Sequence, residues 1–439
     1  MATTTGEQKE QMNVNCNIDL YIEEDKVDPK NINRLVIREW VFDEQRIPRI
    51  DLVILDDGFF SDARYPYQGK TITVNVKRDL SEATDSYLSS SFKILNTSWK
   101  KSQEDSIGSV STLIISGLLE MTDPFLDIAK NIYEDQSTTE IIKSLAGELG
   151  VGFINNLKSN DKMNWIARAY TPKLQYIDYL VKRSWIADDD CFLLYFDTKK
   201  NLNYSSLKTS IDNSVRKSTV YDTDMAIINT KKELVKKGIE KFKFDEQDIM
   251  SIVWYTNLEQ KNIAGTNFCE NYGFGVTYWW VDIDSGQYSF TDPSKNGTTL
   301  QKTSKYFNSY DTFNFTNEDP NEIAQQAIFG NYIEYFNYKQ IENVFGKEYY
   351  YSSIHRENII TSFASNAVVI EMNPTVEVNL LDVLYLDVPS NIPSAPDNKN
   401  AVIGGEYVVC GIIHLIDKGY YKKMLSLHRA GFNASTEIK

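Results

Sequence analysis

The chain has 439 residues, of which 42% are hydrophobic, 24% charged and 13% aromatic, with 27 Tyr. That length predicts two to four domains, and the composition excludes disorder over most of the chain. Its 46 Lys and Arg against 61 Asp and Glu leave a net charge of −15, which excludes a nonspecific grip on nucleic acid, because phosphate binding relies on basic clusters.

Residues 1–14 read as a flexible polar arm without the apolar core of a signal peptide, and no run approaches a bilayer-spanning length. A soluble protein made in a cytoplasm is expected. Cys16, Cys191, Cys269 and Cys410 are scattered with no Cys-x-x-Cys pair, which excludes zinc-ribbon and thioredoxin readings and predicts isolated buried thiols.

The β signal begins at Asn15. Leu35 and Ile37 alternate with polar neighbours, and after Arg38-Glu39 the apolar phase passes to Trp40 and Phe42, which predicts a bulge. Ile50, Leu52 and Ile54 form the next face, Ile72, Val74 and Val76 another, and Ser91–Leu95 and Thr112–Leu119 add two more strands. Residues 15–122 therefore read as an antiparallel β domain, a barrel or a sandwich.

The period then changes. Ser137 with Glu140 makes a capping box ahead of Ile141, Ile142, Leu145, Ala146 and Leu149, and Gly150 stands where a helix-ending glycine belongs. A second helix is expected from Thr171-Pro172, with Leu174, Ile177, Leu180, Val181 and Trp185 as its stripe. Strands follow at Cys191–Phe196 and around Leu202 and Tyr204, so residues 123–208 read as an α/β module.

Residues 209–250 are mixed, with a Lys-rich patch from Lys231 to Lys243 that reads as a solvated face. Residues 251–345 are rich in Asn and aromatics. Val276–Phe290 predicts a hairpin turning at Asp284-Ser285-Gly286, and Asn321–Tyr335 reads as a helix. The β signal returns from Tyr349 through Ala367–Glu371 and Val376–Leu386. Two last runs, Tyr407–Ile416 and Tyr420–Arg429, flank a turn at Asp417-Lys418-Gly419. Neither face of this hairpin is wholly polar, so both are expected to meet protein.

Chemistry finds little support. Asp188-Asp189-Asp190 reads as turn solvation at a helix-to-strand junction. Asp282 and Asp284 resemble the start of a calcium loop, but Gly286 arrives one position early and no Glu closes it. Tyr278, Trp279, Trp280 and Tyr288 beside those carboxylates supply the alternative function, a carbohydrate-active or receptor-binding protein. His355, His414 and His428 have no ligand partner at metal spacing, and His414 is expected to be a satisfied buried imidazole. No Walker loop, Gly-x-Ser-x-Gly or dinucleotide fingerprint is present. No catalytic, cofactor-binding or metal residue is assigned.

Three pieces carry a family resemblance: Ser137-Thr-Thr-Glu-Ile-Ile-Lys-Ser-Leu-Ala146, then Trp165 with Lys173-Leu-Gln-Tyr-Ile-Asp-Tyr-Leu180, then Cys191-Phe-Leu-Leu-Tyr-Phe-Asp197. Together they resemble the central module of phage tail hub proteins and the related late-control and type VI spike proteins. The ending, Gly405-Glu-Tyr-Val-Val through His414 to Tyr420-Tyr-Lys-Lys-Met-Leu-Ser-Leu-His-Arg429, resembles the last hairpin of such hubs.

The resemblance implies a β-rich α+β fold with two antiparallel β-barrel tube domains, 15–122 and 346–439, and an α/β module between them. Residues 209–250 would begin the second barrel or link to it, and 251–345 would be an insert. It further implies a non-enzymatic homotrimer at the centre of a contractile-tail baseplate, forming a pseudo-sixfold ring. The implied partners are the tail tube protein, the central spike protein, the tape measure protein and surrounding baseplate proteins, in the virion. Neither specific nucleic-acid binding nor stable membrane insertion is implied, and net acidity suits a lumen through which DNA passes unbound.

Overall fold

The computed structural model describes residues 14–42, 46–56, 58–60, 65–78, 86–101, 111–126, 132–167, 169–184, 186, 190–213, 217–220, 249–256, 275–282, 288–290, 328–336, 360, 366–372, 378–387, 405–417 and 420–429. The described chain is a β-rich α+β fold. Its first strands are β1 (Val14–Ile22), β2 (Asp25–Val27), β3 (Ile32–Trp40), β4 (Arg49–Asp56), β5 (Thr71–Arg78), β6 (Ser86–Lys101) and β7 (Ser111–Leu119). In most of them buried Ile, Leu, Val or Phe alternate with residues turned outward, the pattern of a strand with one face on a core. The inward set, including Leu20, Leu35, Ile50, Leu52, Ile72, Val74, Phe92 and Leu113, forms one apolar core.

The bulge expected at Arg38-Glu39 does not form. Pairing runs without a register shift from Arg38 to Trp40 against Ile413 to Gly411. Leu35, Ile37, Glu39 and Val41 all occupy the buried phase, and Trp40 lies on the other, half-buried face. A buried carboxylate on the inward face imitates a phase slip in the sequence.

Next comes β8 (Ile132–Gln136), followed by α1 (Thr138–Glu148), β9 (Gly152–Asn155), β10 (Met163–Ile166), α2 (Lys173–Arg183), β11 (Phe192–Phe196), β12 (Asn201–Ser206) and α3 (Leu207–Asn213). The predicted capping box is present: Ser137 accepts from Glu140 N–H while the Glu140 carboxylate accepts from Ser137 N–H. Gly150 takes φ +67°, the left-handed conformation that ends α1. Pro172 sits one position earlier than expected, at the cap of α2. Ile141, Ile142, Leu145, Ile177 and Leu180 meet Phe192, Leu194, Phe196 and Tyr204 in a second core. Cys191, Leu193 and Tyr195 on the opposite face of β11 belong to a third.

The remaining strands are β13 (Lys217–Val220), β14 (Ile249–Thr256), β15 (Gly275–Asp282), β16 (Tyr288–Phe290), β17 (Ile328–Phe336), β18 (Asn366–Met372), β19 (Val383–Asp387), β20 (Gly405–Asp417) and β21 (Tyr420–Arg429). Two expectations are corrected here. Ile328–Phe336 is a strand pairing in parallel with β15, where a helix was expected over Asn321–Tyr335. Its Ile, Phe and Tyr side chains favour a pleated backbone, and that preference outweighs a weak helical spacing. The strand expected over Val376–Leu386 begins only at Val383, because residues 380–381 turn and Leu381 takes φ +68°. The turns expected at 284–286 and 417–419 fall wholly or partly outside the described residues, although β15 pairs antiparallel with β16, and β20 with β21.

The hairpin β20–β21 joins two sets of strands. β20 pairs with β3, β21 pairs with β1, and the chain of antiparallel contacts β3–β4–β7–β6–β5–β1 completes a closed circuit. Closure leaves those strands no free edge. The same two strands also pair outward, β20 with β19 and β21 with β18, with β13 and β14 beyond. Strands of this second path contribute Val368, Ile370, Met372, Val383, Leu384, Val408, Leu425 and Leu427 to one apolar core.

Candidate functional site

A buried polar arrangement lies where these cores meet. Along the inner face of the hairpin, Ile416 and Tyr421 belong to the core of the closed circuit, whereas Ile412 and Leu425 belong to that of the second path. Between them His414 and Lys423 face each other in register, 5% and 8% exposed. From β3 the carboxylate of Glu39, also 5% exposed, enters the same layer. Glu39 Oε1 lies 3.3 Å from His414 Nε2, and His414 Nδ1 lies 2.7 Å from the Tyr421 hydroxyl.

The turn after β11 completes the arrangement. Thr198 donates its backbone N–H to Glu39 Oε2 at 2.9 Å and its hydroxyl to Oε1 at 3.0 Å, while the Thr198 carbonyl accepts from the Ser90 hydroxyl on β6. One buried carboxylate therefore gathers donors from β20 and from the α/β module. A carboxylate only accepts, so a neutral His414 carries its proton on Nε2 toward Glu39 and accepts at Nδ1 from Tyr421. The hydroxyl of Tyr195 lies within the influence of Asp197, Glu39 and Asp382, and burial is the main cause that raises its pKa. The groups of this layer are buried, so what the arrangement accomplishes is to join three bodies in one register.

The module has a buried carboxylate of its own. Asp161, fully buried, accepts from Thr138 N–H at 2.8 Å, from the Thr138 hydroxyl and from Ser159 Oγ at 2.7 Å. It sits at the N-terminus of α1, where the helix dipole favours negative charge. The hydroxyl of Tyr204 approaches Thr138 Oγ1 at 3.2 Å, and burial pushes its pKa well up.

The candidates read from the sequence do not converge. His414 is the satisfied buried imidazole expected. His428 is separate, bonded through Nε2 to Ser426 Oγ at 3.0 Å and pushed down to about 4 by burial. His355 lies outside the described residues. Asp190 accepts from the backbone of Cys191 and of Lys208 and so caps α3, whereas Asp188 and Asp189 lie outside the described residues. Trp279 pairs with Phe290 and Ile333, while Trp280 pairs with Ser289 and Glu334. Asp282 ends β15, and Asp284 lies outside the described residues. Cys191 and Cys410 are buried, Cys16 is half-buried, and Cys269 lies outside the described residues. Burial raises the Cys410 thiol well above its usual pKa.

Among the described residues no three His, Cys, Asp or Glu side chains cluster as metal ligands, and no helix is long and apolar enough to cross a membrane. Glu39 and Asp161 are the polar residues that the sequence reading missed. The signal for Glu39 was the inward phase it shares with Leu35 and Ile37.

No family model matches the chain, and no curated protein matches it. Solved structures do. The 43 kDa tail protein of prophage MuSo2 from Shewanella oneidensis superposes with a TM-score of 0.52 at 12% identity, over 93% of this chain and 97% of its own. A tail protein from Neisseria meningitidis superposes with a TM-score of 0.52 at 9% identity, over 94% of this chain and 96% of its own. At such identities the likeness is one of fold, and it runs nearly from end to end. The resemblance read from residues 137–197 and from the last hairpin is thus matched at the level of fold: this chain shares the fold of these two tail proteins.

Proposed function

We propose that this chain is a structural subunit at the centre of a phage tail baseplate. Three copies form a pseudo-sixfold ring that joins the tail tube to the central spike and lets DNA pass. The observation that carries the reading is the fold likeness to two tail proteins over more than nine tenths of each chain. The strand pairing supports it, because one hairpin serves two β units. Two such units in each of three copies supply six positions around an axis.

In this reading residues 15–122 and 346–439 are tube domains, 123–208 the module between them, 209–250 the start of the second tube domain or a linker to it, and 251–345 an insert. The arm 1–14 precedes them. The role is structural, in the virion, with the tube and spike proteins above and below and tape measure and baseplate proteins around. A net charge of −15 suits a channel that repels DNA rather than holding it.

Native mass measurement with negative-stain imaging of the purified chain tests this. The expected result is a threefold species with a central opening. A strictly monomeric chain at micromolar concentration, with no ring in the images, sinks the reading.

A further inference from the structure

We draw no further inference here: the strongest candidate, the apolar surface patch that Phe125, Leu126, Ile132, Ile166 and Tyr170 present 52–87% exposed on the α/β module, carries nothing because nothing in the structure shows what covers it.

Discussion

Glu39 and His414 lie 375 positions apart in sequence and meet at 3.3 Å in the layer between two hydrophobic cores. The carboxylate also holds the N–H and hydroxyl of Thr198. Removing it strands donors in a dry interior. Glu39→Ala is expected to lower the unfolding free energy by about 3–5 kcal/mol in urea titrations. Glu39→Gln keeps one acceptor but turns an amide N–H₂ toward other donors, so about 2 kcal/mol is expected. In a double-mutant cycle, Thr198→Val with Glu39→Ala is expected to be less damaging than the sum of the two. Additive losses would show that the two residues do not act as one joint.

Gly411 allows β20 to pass under an indole. A Cβ there would lie 2.7 Å from Trp40 Cε3 and 2.8 Å from Cζ3. Gly411→Ala must therefore move the ring, at a loss of about 1–3 kcal/mol and with a change in tryptophan emission. Pairing it with Trp40→Leu opens the space and is expected to recover part of the loss. A Gly411→Ala chain as stable as the parent would mean that the ring does not rest there.

The outline of this fold was legible where local physics decides it. Ser137, Glu140 and Gly150 announce the ends of α1 because capping depends on neighbours in sequence. The alternation at Ile72, Val74 and Val76 announces β5 because one face meets a core. The double duty of β20 and β21 was not legible, since mixed faces report burial but not which strands supply it. Glu39 was misread for the same reason. A carboxylate at an inward position looks polar until His414 and Thr198, remote in sequence, are set beside it. The aromatic run at Ile328–Phe336 shows the third limit: short apolar segments do not choose between helix and strand until a partner such as β15 is present.

Asp161 anchors the start of α1 much as Glu39 anchors the junction. Asp161→Asn removes acceptor capacity from Thr138 and Ser159 while keeping the shape, and is expected to lower stability by about 2–4 kcal/mol. Ser137→Ala removes only the cap and is expected to lower it by about 1 kcal/mol. Urea titration followed at 222 nm ranks the two. If Ser137→Ala proves the more damaging, the buried carboxylate contributes less than the cap and the assignment fails.

His428 makes stability depend on pH in a definite direction. Burial lowers its pKa to about 4, and Phe42 packs edge-on against the ring with centroids 6.0 Å apart. Unfolded, the same imidazole regains a pKa of about 6.5. Between those values the unfolded chain binds the proton and the folded chain does not, so acid favours unfolding. The contribution is complete above pH 6.5 and lost as pH falls toward 4, on the order of 2–3 kcal/mol across the window. His428→Gln removes the titrating group, so its unfolding free energy is expected to change less between pH 4.5 and 6.5 than that of the parent. Subtracting the two pH profiles removes the shared titration of other carboxylates and imidazoles. Parallel profiles across that window would mean that His428 titrates alike in both states, and that its burial places no restraint on the proton.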